Sequence, residues 1–385
     1  MSVRSVLTVV CCVPCAVLGL ATVARAQPAL DSEFLIDTSG VQEQGTPAVA
    51  SDGENFLVVW HESRSGSSDI YGARVTRQGT VIDPVGFVIS QAADDQCNAV
   101  VGYNGTDYLV VWEDYRGGVY DDIYGARVTA EGRVLDPDGI AICTGWRYQI
   151  CTSLACGSSN SLVTWFDPAQ LCVYGARVTA QGAVLDPAGI LISTWSSGEP
   201  TVAFGGDNFL VVWCSTVGLL GARVTPGGTV LDPQGILMRR SAVGDVSPAL
   251  AFGGTSFLLV WHQYGGNERD IFGCRVTPDG VVLDPSAISI AVAPGRQEVP
   301  AVSYDAANFL VVWQDFRCGD SSDVYGARVS PQGIAFGEGP AVEQDWDQRS
   351  PALARSSGSQ MILVYRVGPV RSVARPTTPG VYGAR

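Results

Sequence analysis

Apolar residues fall in short bursts along this chain rather than in helical stripes. Phe56-Leu57-Val58-Val59-Trp60 is continuously apolar, as expected of a strand covered on both faces. Around it lie three more strand-like pieces, Pro47 to Ser51, Asp69 to Thr76 and Val81 to Ser90, with turns at Asp52-Gly53 and Gln78-Gly79. No segment shows a convincing 3.6-residue apolar period, so the pattern predicts four strands and no helix in this unit.

The unit repeats. Tyr71-Gly72-Ala73-Arg74 returns as the segments ending at Arg127, Arg177, Arg223, Arg275, Arg328 and Arg385, which makes seven copies. Ahead of each stands an aromatic that closes an apolar run: Trp60, Trp112, Trp165, Trp213, Trp261, Trp313 and Tyr365, spaced by 52, 53, 48, 48, 52 and 52 residues. Four short strands every fifty or so residues match a β-propeller blade.

The chain ends point to a closed ring. The last copy stops at Arg385 after its third strand, and Glu33-Phe34-Leu35-Ile36-Asp37 resembles the fourth-strand segment Gly86 to Ser90. Pairing that N-terminal strand into the last blade covers edges that would otherwise be open. The expected fold is therefore all-β, a seven-bladed β-propeller of four-stranded blades closed by the N-terminal strand. An open solenoid is the competing architecture, but it would want polar caps that neither terminus offers.

The run of LVVW, a D-x-R loop, D-[IV]-Y-G-A-R-V and G-x-V-L-D-P resembles the repeat of exported bacterial propeller proteins, and more loosely delta-60-type repeats. That resemblance covers nearly the whole chain after the leader. It implies a fold and no single activity, so function has to be argued from sites.

Composition narrows the chemistry. All 24 basic residues among the 385 are Arg, which excludes Schiff-base chemistry and a phosphate-loop lysine. His61 and His262 are the two histidines, too few for a three-histidine metal site; both follow a strand Trp and read as loop residues. The pI near 4.5 disfavours nucleic acid and anionic lipid as partners. No cofactor is expected. Residues 1–26 read as a secretory signal with Ala24-Arg25-Ala26 before the cleavage point, leaving 27–385 as one propeller domain, secreted to the periplasm, cell surface or medium. Pro14 interrupts the apolar run, which argues against a transmembrane anchor.

Eight cysteines follow the leader. Cys97, Cys143, Cys151, Cys172, Cys214 and Cys318 map to the loop-rich face and are the disulfide candidates, whereas Cys156 and Cys274 map elsewhere. No CxxC zinc spacing occurs.

Recurrence separates scaffold from site. Nine residues after the repeat Arg stands Asp83, Asp136, Asp186, Asp232 or Asp284, which predicts a cross-strand ion pair; the sixth copy has Gly337, so Arg328 needs another partner. Glu62-x-Arg64, Asp114-x-Arg116 and Asp315-x-Arg317 read as loop-shaping salt bridges, with calcium as the less favoured account. The acid pairs Glu113/Asp114 and Asp345/Asp347 are the candidates for glycosidase-like carboxylates.

Three Trp break the repeat. Trp146, Trp195 and Trp346 all fall in links between blades, on the face that also carries the second-to-third strand loops, and their neighbours include Arg147, Tyr148, Asp345, Asp347 and Arg349. Indoles beside planar hydrogen-bonding groups suit a sugar ring or an extended polymer at the channel mouth; equally, they could lie flat and seal the channel. The expected function is a non-enzymatic binding or scaffold propeller that recognises a glycan or a protein there. A polysaccharide hydrolase or lyase using carboxylates and Tyr is the alternative.

Overall fold

The computed structural model describes residues 33–39, 44–64, 66–145, 148–241, 245–265, 268–319, 321–342, 347–357, 360–367 and 380–384. The proposed signal segment lies outside them. Among the described residues there are 28 strands, β1 to β28 in chain order, and no helix. None could therefore provide a helix long and apolar enough to cross a membrane.

The strands form seven antiparallel four-stranded sheets. Blade 1 is β2 (Ala48–Ser51), β3 (Asn55–Glu62), β4 (Asp69–Thr76) and β5 (Phe87–Ser90), in that spatial order. Blade 7 is β26 (Gln348–Arg355), β27 (Met361–Val367), β28 (Gly380–Ala384) and, completing it, β1 (Glu33–Leu35). The register of that last pair sets Glu33 opposite Ala384 and Leu35 opposite Tyr382. The Tyr365 hydroxyl reaches Glu33, and Ile36, fully buried, packs beside Val364 and Val381. The first strands contact one another around the axis, and β2 meets β26, so the ring is closed.

Packing follows from the apolar second strands. Seven hydrophobic clusters each join two neighbouring blades, and each holds one repeat aromatic, from Trp60 between blades 7 and 1 to Tyr365 between blades 6 and 7. The repeat Gly is small because of crowding within its own blade: a Cβ on Gly125 would sit 2.9 Å from the Val110 carbonyl oxygen of the adjacent strand.

The expected Arg–Asp ion pairs form in five blades, with each Asp in the connection ahead of the fourth strand rather than on it, as in Arg74 Nε to Asp83 Oδ2 at 2.8 Å and Arg177 Nε to Asp186 Oδ2 at 2.7 Å. Each arginine also leans on the next blade. A Cβ on Gly132 would meet Arg74 Nε at 2.9 Å, and Arg177 Nη1 donates to the Pro226 carbonyl at 3.1 Å. Arg328 instead faces Asp305 at 3.8 Å. Its neighbour, blade 7, has no third-to-fourth hairpin, because its fourth strand comes from the other end of the chain. The carboxylate and the turn that serve the other arginines are thus lost together at the closure.

Candidate functional site

Trp146, Arg147, Asp345 and Trp346 lie outside the described residues, as does the side chain of Cys151. Of the other residues singled out on the link face, Tyr148 is exposed and meets the Tyr120 ring edge-on, with centroids 5.0 Å apart. Asp347 accepts from the Ser322 backbone N–H at 2.9 Å, from the Ser322 hydroxyl at 2.7 Å and from Arg349 Nε at 2.8 Å. Burial pushes that carboxyl up, but the bonds from Arg349 and Ser322 outweigh it and hold it below its ordinary value. Asp347 thereby ties the first strand of blade 7 to the second-to-third loop of blade 6. The same tie recurs where Asp95 accepts from the Ser68 backbone N–H at 2.8 Å.

Trp195 is the exception, with 77% of its surface exposed. A residue sealing the channel would be buried. It does not stand at the channel mouth either: it borders a slot of about 320 Å³ whose walls include Trp213 and Leu220 of blade 4 and Pro233-Gln234, which lead into the outer strand β17 (Ile236–Arg240). The reason is local. In blades 1, 2 and 6 the strand Trp donates its indole N–H to an acid two residues on, as Trp112 does to Asp114 at 2.8 Å. Blade 4 has Ser215 at that position, and Trp213 donates instead to the Trp195 carbonyl at 3.2 Å. The backbone of Trp195 is held and its indole is left in solvent.

The slot is a seat that other blades fill from within. Arg116 stacks on Tyr124 at 3.9 Å, bonds to Asp114 at 2.7 Å, and donates to the Asp138 carbonyl at 2.7 Å. Arg64 sits likewise over Tyr71 and Arg317 over Tyr325, at 4.1 and 4.2 Å, which bears out the internal salt-bridge expectation for the D-x-R loops. In blade 3, Gln170 substitutes, donating to Asp167 at 2.7 Å. In blade 4 the acid, the arginine and the tyrosine are replaced by Ser215, Val217 and Leu220.

Of the carboxylates singled out for catalysis, Glu113, Asp114 and Asp347 are engaged in scaffold bonds, and Asp345 lies outside the described residues. Glu113 and Asp114 point to opposite sides of one strand; Glu113 accepts from Asn98 Nδ2 at 2.9 Å, and Asp114 is shared by Trp112 and Arg116. Among the described residues no three His, Cys, Asp or Glu gather as metal ligands would.

The histidines are not loop residues, contrary to expectation. His61 lies within β3, one residue from its end, and His262 lies within β19 (Phe257–Gly265), 3% exposed. Each accepts through Nδ1 a backbone N–H from the first strand of the next blade, Asn98 at 3.3 Å and Val299 at 3.4 Å. Asn98 and Val299 are bulge residues with φ near +52° and +53°, and the histidine satisfies the N–H that each bulge frees. Burial lowers both imidazole pKa values, His262 to about 4 with the Arg269 charge contributing.

Among the described residues no disulfide bond joins Cys97, Cys143, Cys172, Cys214 and Cys318. Cys97 and Cys143 stand on the first and fourth strands of one blade with two strands between them, and Cys172 and Cys214 are buried in different blades.

Two features went unread in the sequence. Buried Gln44 and Gln348, just before or at the start of first strands, accept backbone N–H groups of the preceding blade, Val381 at 2.7 Å and Val324 at 2.9 Å. At the opposite mouth of the axial channel a cavity of about 620 Å³ is walled by Tyr103, Phe204, Phe252, Tyr304, Ser51 and Arg355. Five of these end first strands and Phe204 is one residue from the end of its own, so comparing that position across the copies would have shown the aromatics.

Comparison with solved structures supports the fold. The β-propeller domain of the Trilobed protease from Pyrococcus furiosus, described as having an open velcro topology, matches at TM-score 0.54 and 9% identity, over 89% of this chain and 95% of that one. Pyrococcus horikoshii acylaminoacyl peptidase matches at TM-score 0.50 and 9% identity over 91% of this chain; the chain spans about half, 52%, of the peptidase. A thermostable family-43 glycoside hydrolase matches at TM-score 0.39 and 11% identity, over 63% of this chain and 89% of its own, a likeness too slight to speak to activity. No family model matches the sequence, and no curated protein does. At these identities the comparisons support the propeller fold, whose seven blades are counted in this chain's own sheets, and leave chemistry to the residues.

Proposed function

We propose that this chain is an exported, non-catalytic binding propeller that holds a glycan on its link face, with Trp195 as an aromatic platform. One observation carries the reading: Trp195 is 77% exposed, whereas Trp60, Trp112, Trp213, Trp261 and Trp313 are at most 1% exposed. An exposed indole fixed through its backbone offers a sugar ring an apolar face with little loss of side-chain freedom. The hydrolase or lyase alternative finds Glu113, Asp114 and Asp347 occupied by scaffold bonds.

A glycan array probed with the purified chain tests this, run beside reducing-end and unsaturated-product assays. The expected result is binding without turnover, weakened about tenfold or more by Trp195→Ala, in the range of an aromatic anchor. Product release from any bound polysaccharide would move the assignment to catalysis, and capture of a protein partner with no glycan bound would replace the ligand class.

A further inference from the structure

The blade-4 slot says more about which glycan. We propose that it is a subsite for one uncharged pyranose ring, an inference that rests on the glycan reading above. Its volume of about 320 Å³ is at the lower end of small-molecule sites, about 300–1,000 Å³, as one ring requires. The apolar side consists of Trp195, Val217, Leu220 and Pro233, and the polar side of Ser193, Thr194, Ser215, Thr216 and Gln234.

Those polar groups are not equal. Ser215 is spent in its own turn, donating to the Gly218 carbonyl at 2.8 Å and accepting from Val217. Thr194, Thr216 and Gln234 have no hydrogen-bond partner among the described residues, so two hydroxyls and one amide are free for sugar hydroxyls. No charged side chain lines the slot. A uronate, an amino sugar or a partner's arginine would give up its hydration there without a counter-charge, whereas a neutral ring loses nothing comparable.

The repeat shows that the slot is a vacancy of this blade. Blades 1, 2 and 6 fill the same seat with Arg64, Arg116 and Arg317, and blade 3 with Gln170. In blade 5, Ala287 at φ +62° occupies the position of Gly139, where a Cβ would approach Arg116 Nη2 to 3.2 Å, so its methyl enters the seat. In blade 4 that position is Gly235, whose Cβ would find nothing nearer than 3.6 Å.

The full chain is titrated, by calorimetry and tryptophan fluorescence, with neutral gluco-, manno- and xylo-oligosaccharides and with oligogalacturonate and chitosan oligomers. Neutral oligosaccharides are expected to bind and the charged ones to bind at least tenfold more weakly. Val217→Arg places an arginine four residues after the strand Trp, the register of Arg116, and should fill the seat. Binding is expected to fall at least tenfold in Val217→Arg and in Trp195→Ala and to stay within about threefold in Trp195→Phe, with unchanged melting temperatures. If neutral glycans bind and survive both Val217→Arg and Trp195→Ala, or if the charged oligomers bind more tightly, the subsite is wrong while a glycan-binding propeller stands. If no glycan binds the intact chain, both readings fall.

Discussion

The indole N–H of Trp213 donates to the backbone carbonyl of Trp195 at 3.2 Å, across a sequence separation of 18 residues. The bond exists because blade 4 lacks the acid that takes the same indole proton in blades 1, 2 and 6. A single replacement in a repeat has thus positioned a link residue. The link is further fixed by the Ser196 backbone N–H donating to the Leu171 carbonyl at 2.9 Å.

Because only its backbone is used, Trp195→Ala should leave the melting temperature almost unchanged. Trp112→Ala, which empties a fully buried position between blades 1 and 2, should cost about 3–5 kcal/mol. Thermal unfolding of the two variants side by side is the check; equal destabilisation would mean that the Trp195 indole is packed.

Ring closure depends on a three-residue strand and the residue after it. Deleting residues 33–37 should lower stability by several kcal/mol, and Ile36→Ala alone by about 2–5 kcal/mol, since Ile36 is fully buried between blades 7 and 1. Denaturant melts that coincide with the intact chain would show the last blade stable without β1.

His262 should make stability depend on pH. Its folded-state pKa is lowered from 6.5 to about 4, so the unfolded chain takes up the proton first as pH falls. Stability from this group is complete above about pH 6.5 and declines towards about pH 4, by at most about 3 kcal/mol. Of the charged groups nearby, Arg269 opposes protonation and is itself paired with Glu298. His262→Gln should remove the slope and keep the bond, because Gln314 already accepts the Ser350 N–H at 2.8 Å in the equivalent place. Denaturant titrations of both proteins across that window decide it.

The Arg-Asp pairs act at lower pH. Hydrogen bonds from Arg177 and Arg223 hold the Asp186 and Asp232 carboxyls below their ordinary value. Their contribution is therefore present above about pH 4 and is lost as pH falls through the folded-state pKa values. Asp186→Asn should cost about 1–3 kcal/mol at neutral pH and shrink the acid-induced loss, read from unfolding curves below pH 4.

Thiol reactivity should follow burial. Cys318 is exposed, while Cys172, Cys214 and Cys274 are buried and burial pushes the Cys274 thiol up to about 12. A thiol reagent on the native chain should modify Cys318 first and the buried three only on unfolding. Peptide mapping that finds disulfides among them would contradict the thiol state seen here.

How far the sequence reached depended on repetition. The blade was written seven times, as LVVW strands, Gly-Ala third strands and Arg-Asp pairs at a fixed offset, so local pairing rules alone gave the strands, their order and the closure. Residues that occur once have no such redundancy. That Trp195 is exposed at a slot rather than sealing the channel is decided by Ser215, Leu220 and Pro233, which approach it only when blade 4 packs. His61 and His262 passed for loop residues because the groups they serve, the bulge N–H groups of Asn98 and Val299, lie 37 residues away on the next blade. The cysteines shared a face in the one-dimensional map, yet Cys97 and Cys143 are kept apart by two intervening strands. Short-range patterning determines which strands form and pair. Which side chains meet across a seam is set by the angle and depth at which neighbouring blades pack, and those exist only in the closed ring.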